Sequence, residues 1–215
     1  MTTAIFVAKL VKGLRLMAEM KDVIRDTHGN LSCLAPGGVV CIKPSGVPYE
    51  DIREKDIVCV ALVDGHLLTG NLKPSVDTPH HLAIYRNYPR IRSICHTHSP
   101  YAVGHAVADR DIRVCSTEHA DYFGHDIRVT GYPDIDRWGD ELILEQNEKA
   151  VMLSQHGVLT FGDDPVHAVK LAAALENIAQ KDFIASALLG GQRPRVLTSD
   201  VVQAWHTRYN TSYGQ

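Results

Sequence analysis

The sequence predicts an α/β fold in one domain spanning residues 1–215. Short apolar runs of strand length alternate with stretches of helical periodicity. Thr78-Pro79, Ser99-Pro100 and Asp164-Pro165 each pair a capping residue with a proline at the first helical position. A chain of 215 residues is long enough for a full core, and no Gly/Ser-rich or Pro-rich linker divides it. Apolar residues make up 45% and charged residues 22%, with a formal charge of -3, as in an ordinary soluble globular protein. Without a basic stripe, the chain is not expected to bind nucleic acid. Lys9, Lys12, Arg15 and Glu19 interrupt the apolar pattern of the N-terminal segment, so neither a signal peptide nor a membrane span is expected there. Cys33, Cys41, Cys59, Cys95 and Cys115 are scattered, odd in number and without CxxC spacing. They read as reduced thiols of a cytoplasmic protein.

An amphipathic helix is expected from about Thr3 to Arg25, ending at Thr27-His28-Gly29-Asn30. Gly29 and Asn30 both tolerate positive φ, and a tight loop there presents backbone N–H groups and the Asn30 amide; a simple helix stop is the plainer reading. Strands follow at Leu31–Cys33, Val39–Lys43, Ile57–Val63 and His66–Thr69, the last two joined by an Asp64-Gly65 turn. Lys43-Pro44-Ser45-Gly46 brings a cation, a hydroxyl and a glycine N–H to one loop, parts of an oxyanion site or of an edge turn. A helix capped by Thr78 runs to about Tyr88, with Ser75 and Asp77 just ahead of its N-terminus. A strand at Ile91–His98 leads into a helix capped by Ser99 and ending near Asp109. Ile112–Cys115 reads as a strand entering an acidic loop, Ser116–Gly124, where aromatic neighbours can desolvate Asp121 and raise its pKa. Asp134–Asn147 reads as helix, Lys149–Leu153 and Val158–Phe161 as strands around Gln155-His156-Gly157, and Asp164 caps a helix to Leu189. The tail from Arg193 to Gln215 fits a frayed end, and its Tyr and Gly content fits a docked one equally.

His96 and His98 are two residues apart in an extended run, so their imidazoles share one face. A divalent metal is the usual reason for such a pair, and Asp77 and His156 are the partners to complete it. Any single histidine among the 12 in this chain can equally be a hydrogen-bonded structural residue.

Taken in order, Gly29-Asn30-Leu31-Ser32, Ile42-Lys43-Pro44-Ser45-Gly46, Lys73-Pro74-Ser75 with Asp77, His96-Thr97-His98-Ser99, His119-Ala120-Asp121-Tyr122-Phe123, Gln155-His156-Gly157 and Tyr213-Gly214-Gln215 resemble the class II aldolase/epimerase family. The likeness is to its L-ribulose-5-phosphate 4-epimerase branch, with the L-fuculose-phosphate aldolases as relatives. It implies a three-layer α/β/α sandwich around a mostly antiparallel sheet, assembled as a homotetramer with active sites between subunits. It implies one divalent metal per subunit, zinc foremost with manganese or cobalt as alternatives, held by His96, His98 and His156 with Asp77 as fourth ligand or neighbour. Asn30, Lys43, Ser45, Gly46 and Ser75 would hold a sugar phosphate. Asp121 and Tyr213, from an adjacent subunit, would be acid and base.

The implied reaction is inversion at C4 of a ketopentose 5-phosphate, L-ribulose 5-phosphate to D-xylulose 5-phosphate, by retro-aldol cleavage and re-addition. A class II sugar-phosphate aldolase or related lyase is the alternative, followed by a non-catalytic adducin-like binding domain. Asp77 bears on the first choice: the aldolases typically carry Glu at the matching position, long enough to protonate the substrate and release a product. Two departures stand out. Val76 occupies a position where the epimerases have a second serine, and the chain is shorter between about Gly131 and Ala150.

Overall fold

The computed structural model describes residues 2–21, 23, 27–131, 134 and 136–212. Tyr213, Gly214 and Gln215, and with them the expected tyrosine acid or base, lie outside the described residues; so does Arg25, but the N-terminal helix expected to reach it ends earlier, at Glu19, where the Met20 N–H turns back to the Met17 carbonyl. Among the described residues eight strands form one sheet: β1 Asn30–Ala35, β2 Val39–Ile42, β3 Val58–Ala61, β4 Leu67–Thr69, β5 Ser93–Thr97, β6 Val129–Thr130, β7 Ala150–Leu153 and β8 Gly157–Gly162. Their order is β4-β3-β2-β1-β5-β8-β7-β6. Every pairing is antiparallel except β6 with β7, so the sheet is mixed.

Side-chain alternation divides the core between the two faces of the sheet. Cys33, Cys41, Cys59 and Cys95 point to one side, packing against Leu10, Leu14 and Met17 of α1 (Thr3–Glu19) and Ala168, Val169 and Ala172 of α6 (Pro165–Leu188). Val40, Val58, Val60, Ile94 and Leu159 point to the other, against α2 (Thr78–Asn87) and α5 (Trp138–Glu141). At the β7–β8 end, Ala150, Met152 and Val158 meet α3 (Pro100–Val107) and the middle of α6. The result is the expected α/β/α sandwich. Two further helices, α4 (Thr117–Tyr122) and α7 (Ser199–Ser212), pack on each other through Ala120 and Val202. Among the described residues no helix is long and apolar enough to cross a membrane.

Several boundaries differ from the sequence reading, each for a local reason. Asp77, not Thr78, takes the N-cap position of α2, because the Thr78 hydroxyl donates back to the Ser75 carbonyl at 2.6 Å. Ile112–Cys115 is not a strand: Ile112 forms a single bridge to Ile127, and the Val114 N–H goes to the Asp126 carboxylate at 2.9 Å. The Ser116–Gly124 loop is largely helical, since the Ser116 hydroxyl accepts the His119 N–H as an N-cap. The expected Asp134–Asn147 helix shrinks to α5. Beyond it the Tyr88 hydroxyl donates to the Leu142 carbonyl at 2.8 Å and accepts the Leu144 N–H at 2.9 Å. One side chain replaces the helix's own bonds there. The tail, open in the sequence between a frayed and a docked end, forms α7 over Ser199–Ser212 and docks on α4.

This packing makes Tyr88 and His119 testable. Tyr88→Phe leaves the Leu142 carbonyl and the Leu144 N–H without a partner, a loss of about 1–3 kcal/mol in urea unfolding; a change below about 0.5 kcal/mol would show that this segment does not depend on the hydroxyl. His119 of α4 is buried, and burial lowers its pKa to about 4 although its ring Nε2 donates to the His125 carbonyl at 3.0 Å. An unfolded histidine titrates near 6.5, so His119 contributes fully above that pH, and the contribution is lost as pH falls from about 6.5 through about 4. Unfolding free energies at pH 7 and 4.5 should therefore fall more steeply for the wild type than for His119→Gln. Parallel curves would contradict this assignment.

Candidate active site

Three histidines converge where β5 and the β7–β8 turn meet. His96 lies inside β5, paired with Asn30 of β1 on one side and Leu159 of β8 on the other. Its Nδ1 is 3.0 Å from the Val158 carbonyl. A carbonyl can only accept, so Nδ1 carries the proton and the Nε2 lone pair faces the cleft. His98 follows the last strand residue, and its Nε2 lies 3.0 Å from His96 Nε2. His156 comes from the tight turn between β7 and β8, where Gln155 adopts φ 56°, and its Nε2 lies 3.2 Å from the same atom. One lone pair on His96 Nε2 cannot satisfy two ring nitrogens at once. A single ion bonded to all three can, and tetrahedral bonds of 2.0–2.1 Å place neighbouring donors about 3.3 Å apart. The three ligand atoms lie within 4.8 Å of one another and form a donor set that fits a metal ion. Burial lowers the pKa of His96 to about 3 and of His98 to about 4, so both are neutral, as ligands must be, at physiological pH.

Glycines on two sides let the backbone close around this group. Gly29 has φ 75°, and a Cβ there would sit 2.5 Å from the His96 carbonyl oxygen. A Cβ on Gly157 would meet His96 Cε1 at 2.7 Å and the Thr97 carbonyl oxygen at 2.9 Å. The turn expected at Gly29 is present, but Asn30 is already a buried strand residue instead of an exposed loop amide. Its Nδ2 donates to Asp77 Oδ2 at 2.5 Å. Asp77 stands beside the triad, with Oδ2 4.0 Å from His96 Nε2. Burial opposes its ionisation, but the His96 and His81 imidazoles and the Asn30 amide together outweigh that and lower its pKa.

The same cleft, about 300 Å³, is lined by Lys43, Ser45, Gly46, Ser75 and Val76 together with the histidines. A small bridge between Pro44 and Pro74, with Ser45 N–H on the Lys73 carbonyl and Ser75 N–H on the Lys43 carbonyl, ties the two loops together. Lys43 is 1% exposed, and burial lowers its pKa to about 8. Its Nζ donates to the Pro44 carbonyl at 3.3 Å and lies 4.6 Å from the Tyr49 ring centre. An ammonium this desolvated gains from an anion in the cleft.

The fold therefore gathers Asn30, Lys43, Ser45, Gly46, Ser75, Asp77, His96, His98 and His156 around one cavity. Asp121 is not among its lining residues; it lies on α4, half-buried, with its pKa raised by burial and partly offset by Arg208 and His206. Sequence reading missed the supporting layer. Trp138 stacks on His80 at 4.2 Å and stands 5.9 Å from the His96 ring. His81 bonds Ser32 Oγ at 2.7 Å, which in turn meets the Tyr85 hydroxyl at 2.8 Å. His28 also lines the cleft, 6.0 Å from the His98 ring, and its position next to Gly29-Asn30 was the signal available for it.

Gly157→Ala drives a methyl group into the His96 ring, so it should abolish stoichiometric metal retention while the far-ultraviolet circular dichroism stays that of the wild type. Undiminished metal in this variant would show that the triad does not need the close approach.

A family model described as the class II aldolase and adducin N-terminal domain matches residues 8–182. L-ribulose-5-phosphate 4-epimerase UlaF of Salmonella paratyphi A is 35% identical over 183 residues, which is 78% of this chain and 80% of that protein, and the Salmonella typhi protein of the same name matches equally. Among solved structures, an L-fuculose 1-phosphate aldolase superposes with a TM-score of 0.82 at 23% identity, covering 98% of each chain. An L-fuculose-1-phosphate aldolase from Thermus thermophilus gives 0.71 at 25% identity, covering 86% of this chain and 99% of that one. By the extent of the family match and the identity to the epimerases, this chain belongs to the class II aldolase and adducin N-terminal domain family.

Proposed function

We propose that this protein inverts C4 of a ketopentose 5-phosphate, interconverting L-ribulose 5-phosphate and D-xylulose 5-phosphate. The observation that carries this reading is Asp77, a short carboxylate held by Asn30 at 2.5 Å with its Oδ2 only 4.0 Å from His96 Nε2. Tethered there, it does not reach out over the cleft to protonate C3 of a substrate fragment, so the fragment's remaining course is re-addition to the aldehyde. The 35% identity to an L-ribulose-5-phosphate 4-epimerase supports the same choice.

A divalent ion held by His96, His98 and His156, with zinc foremost and Asp77 as fourth ligand or neighbour, supplies Lewis acidity toward the ketose carbonyl and adjacent hydroxyl, the charge sink that C3–C4 cleavage needs. Lys43, Ser45, the Gly46 N–H, Ser75 and the second N–H of the Asn30 amide hold the phosphate. This anchoring keeps the glycolaldehyde phosphate fragment in place between the two half-reactions. Of Asp121 and Tyr213, one takes the C4 hydroxyl proton as the aldehyde forms. The other returns a proton to the aldehyde oxygen after its carbonyl has rotated and been attacked on the opposite face.

These two groups come from a neighbouring subunit of a homotetramer. Support for this comes from the position of Asp121 on α4, away from the lining of its own chain's cleft. His206 of α7 bonds the Ala120 and Asp121 carbonyls at 2.9 and 3.1 Å, and Tyr213 follows the last residue of α7 in sequence. One unit of the fold thus carries Asp121 and leads into Tyr213. The free state of all five cysteines agrees with a cytoplasmic location.

The test incubates purified protein with L-ribulose 5-phosphate and follows both product classes. D-xylulose 5-phosphate should accumulate with at most slow leakage to dihydroxyacetone and glycolaldehyde phosphate. Asp121→Asn and Tyr213→Phe should each retain metal and lose turnover by roughly 10²-fold or more. Rapid fragment release without D-xylulose 5-phosphate, or efficient cleavage of L-fuculose 1-phosphate alone, would make the protein an aldolase.

A further inference from the structure

His98 occupies a joint between two independently anchored elements. On one side β5 ends at Thr97, held by β1 and β8. On the other, α3 begins at Pro100, so only His98 and Ser99 connect them. His98 itself stands outside the strand ladder. The distance from its Nε2 to the other ring nitrogens is therefore set by where α3 begins.

The start of α3 is held in an unusual way. A helix leaves its first four N–H groups without internal partners. Here Pro100 has no N–H, and from Val103 onward the helix bonds begin, with the Val103 N–H on the Ser99 carbonyl at 2.9 Å. The N–H groups of the second and third helical residues go to one carboxylate 74 and 75 residues further along the chain: Tyr101 N–H to Glu176 Oε1 and Ala102 N–H to Oε2, both at 2.9 Å. Ser99 sits in the N-cap position without using its hydroxyl on the helix; that hydroxyl lies 3.5 Å from Thr97 Oγ1. Glu176 is 7% exposed, so its carboxylate oxygens are met inside the protein by the positive end of α3. A second tie, from His105 to the Ala179 carbonyl at 3.3 Å and from Arg110 to Asp182 at 3.4 Å, fixes the far end of α3 to the same α6.

We propose that Glu176 is a positioning residue for His98, clamping the N-terminus of α3 so that the third imidazole is held in register with His96 and His156. The proposal rests on the reading of the triad as a metal centre. The clamp acts on the ligand's backbone rather than on its ring. It also explains a charged residue deep in the α3–α6 seam, where an apolar one would pack at lower desolvation cost.

The experiment measures Zn²⁺ and Co²⁺ dissociation constants of the full chain by competition with a chromogenic chelator, together with the visible spectrum of the Co²⁺ form. Glu176→Ala should weaken binding by about 10–100-fold, the usual cost of losing an outer partner of a metal ligand, and alter the Co²⁺ spectrum. Glu176→Gln should lose less, because its amide oxygen still accepts one N–H. Asp182→Asn, which loosens the same helix pair at its far end, serves as control and should bind as the wild type does. Wild-type affinity in both Glu176 variants would overturn the proposal, as would an equal loss in Asp182→Asn at matched stability to urea. If Glu176→Ala does not fold, Glu176→Gln alone decides. A wild-type protein that retains neither ion would remove the metal reading and the clamp with it, a result distinct from normal binding in the variants.

Discussion

The hydrogen bond from His96 Nδ1 to the Val158 carbonyl is the contact on which the rest of the site depends. It orients the ring and leaves the Nε2 lone pair facing the cleft. It exists because β5 and β8 pair with His96 opposite Leu159, which brings the neighbouring Val158 carbonyl under the ring. The same register carries the β8 end, and so Gly157 and the His156 turn, to the position from which a third nitrogen reaches the triad. A slip of one residue would reverse the faces of β5, sending His96 into the α1–α6 layer and Cys95 into the cleft.

Around that centre the fold gives up stability to hold charge. Lys43 and Asp77 both line one cavity and are both largely withdrawn from water, and among the described residues neither has an oppositely charged partner in direct contact to offset its desolvation fully. Lys43 leans on a carbonyl and the Tyr49 ring; Asp77 leans on an amide and on imidazoles that are neutral at physiological pH. Such an arrangement suits a ligand that brings both a phosphate and a chelating sugar. Binding then supplies the anion that Lys43 faces, while an ion at the triad adds positive charge next to Asp77.

The apolar layers serve placement as much as stability. Trp138 stacks on His80 and backs His96, while the Gly139 N–H reaches His80 Nδ1 at 3.3 Å. Behind Asp77, the chain from His81 through Ser32 to Tyr85 anchors α2 to β1 by side chains that are all buried. The ends of three elements, β5, α2 and the β7–β8 turn, are in this way held by atoms that take no part in binding.

Period-2 patterning, proline and capping signals, and residue types in order were legible in the sequence, and they determined seven of the eight described strands, the principal helices and the set of polar residues around the cleft, but not β6 and not the absence of a strand at Ile112–Cys115. His96 and His98, two apart in a strand, had to share a face whatever the fold. What a linear pattern could not contain was partnership over distance. The cap of α3 comes from Glu176 instead of the adjacent Ser99, the Asn30 amide turns inward to Asp77, and the Tyr88 hydroxyl holds Leu142 and Leu144 out of a helix that their neighbours would otherwise extend. In each case a local signal was overridden by a group brought close only by packing. A buried backbone N–H or carbonyl takes whichever partner lies nearest in space, so tertiary structure alone decided these placements.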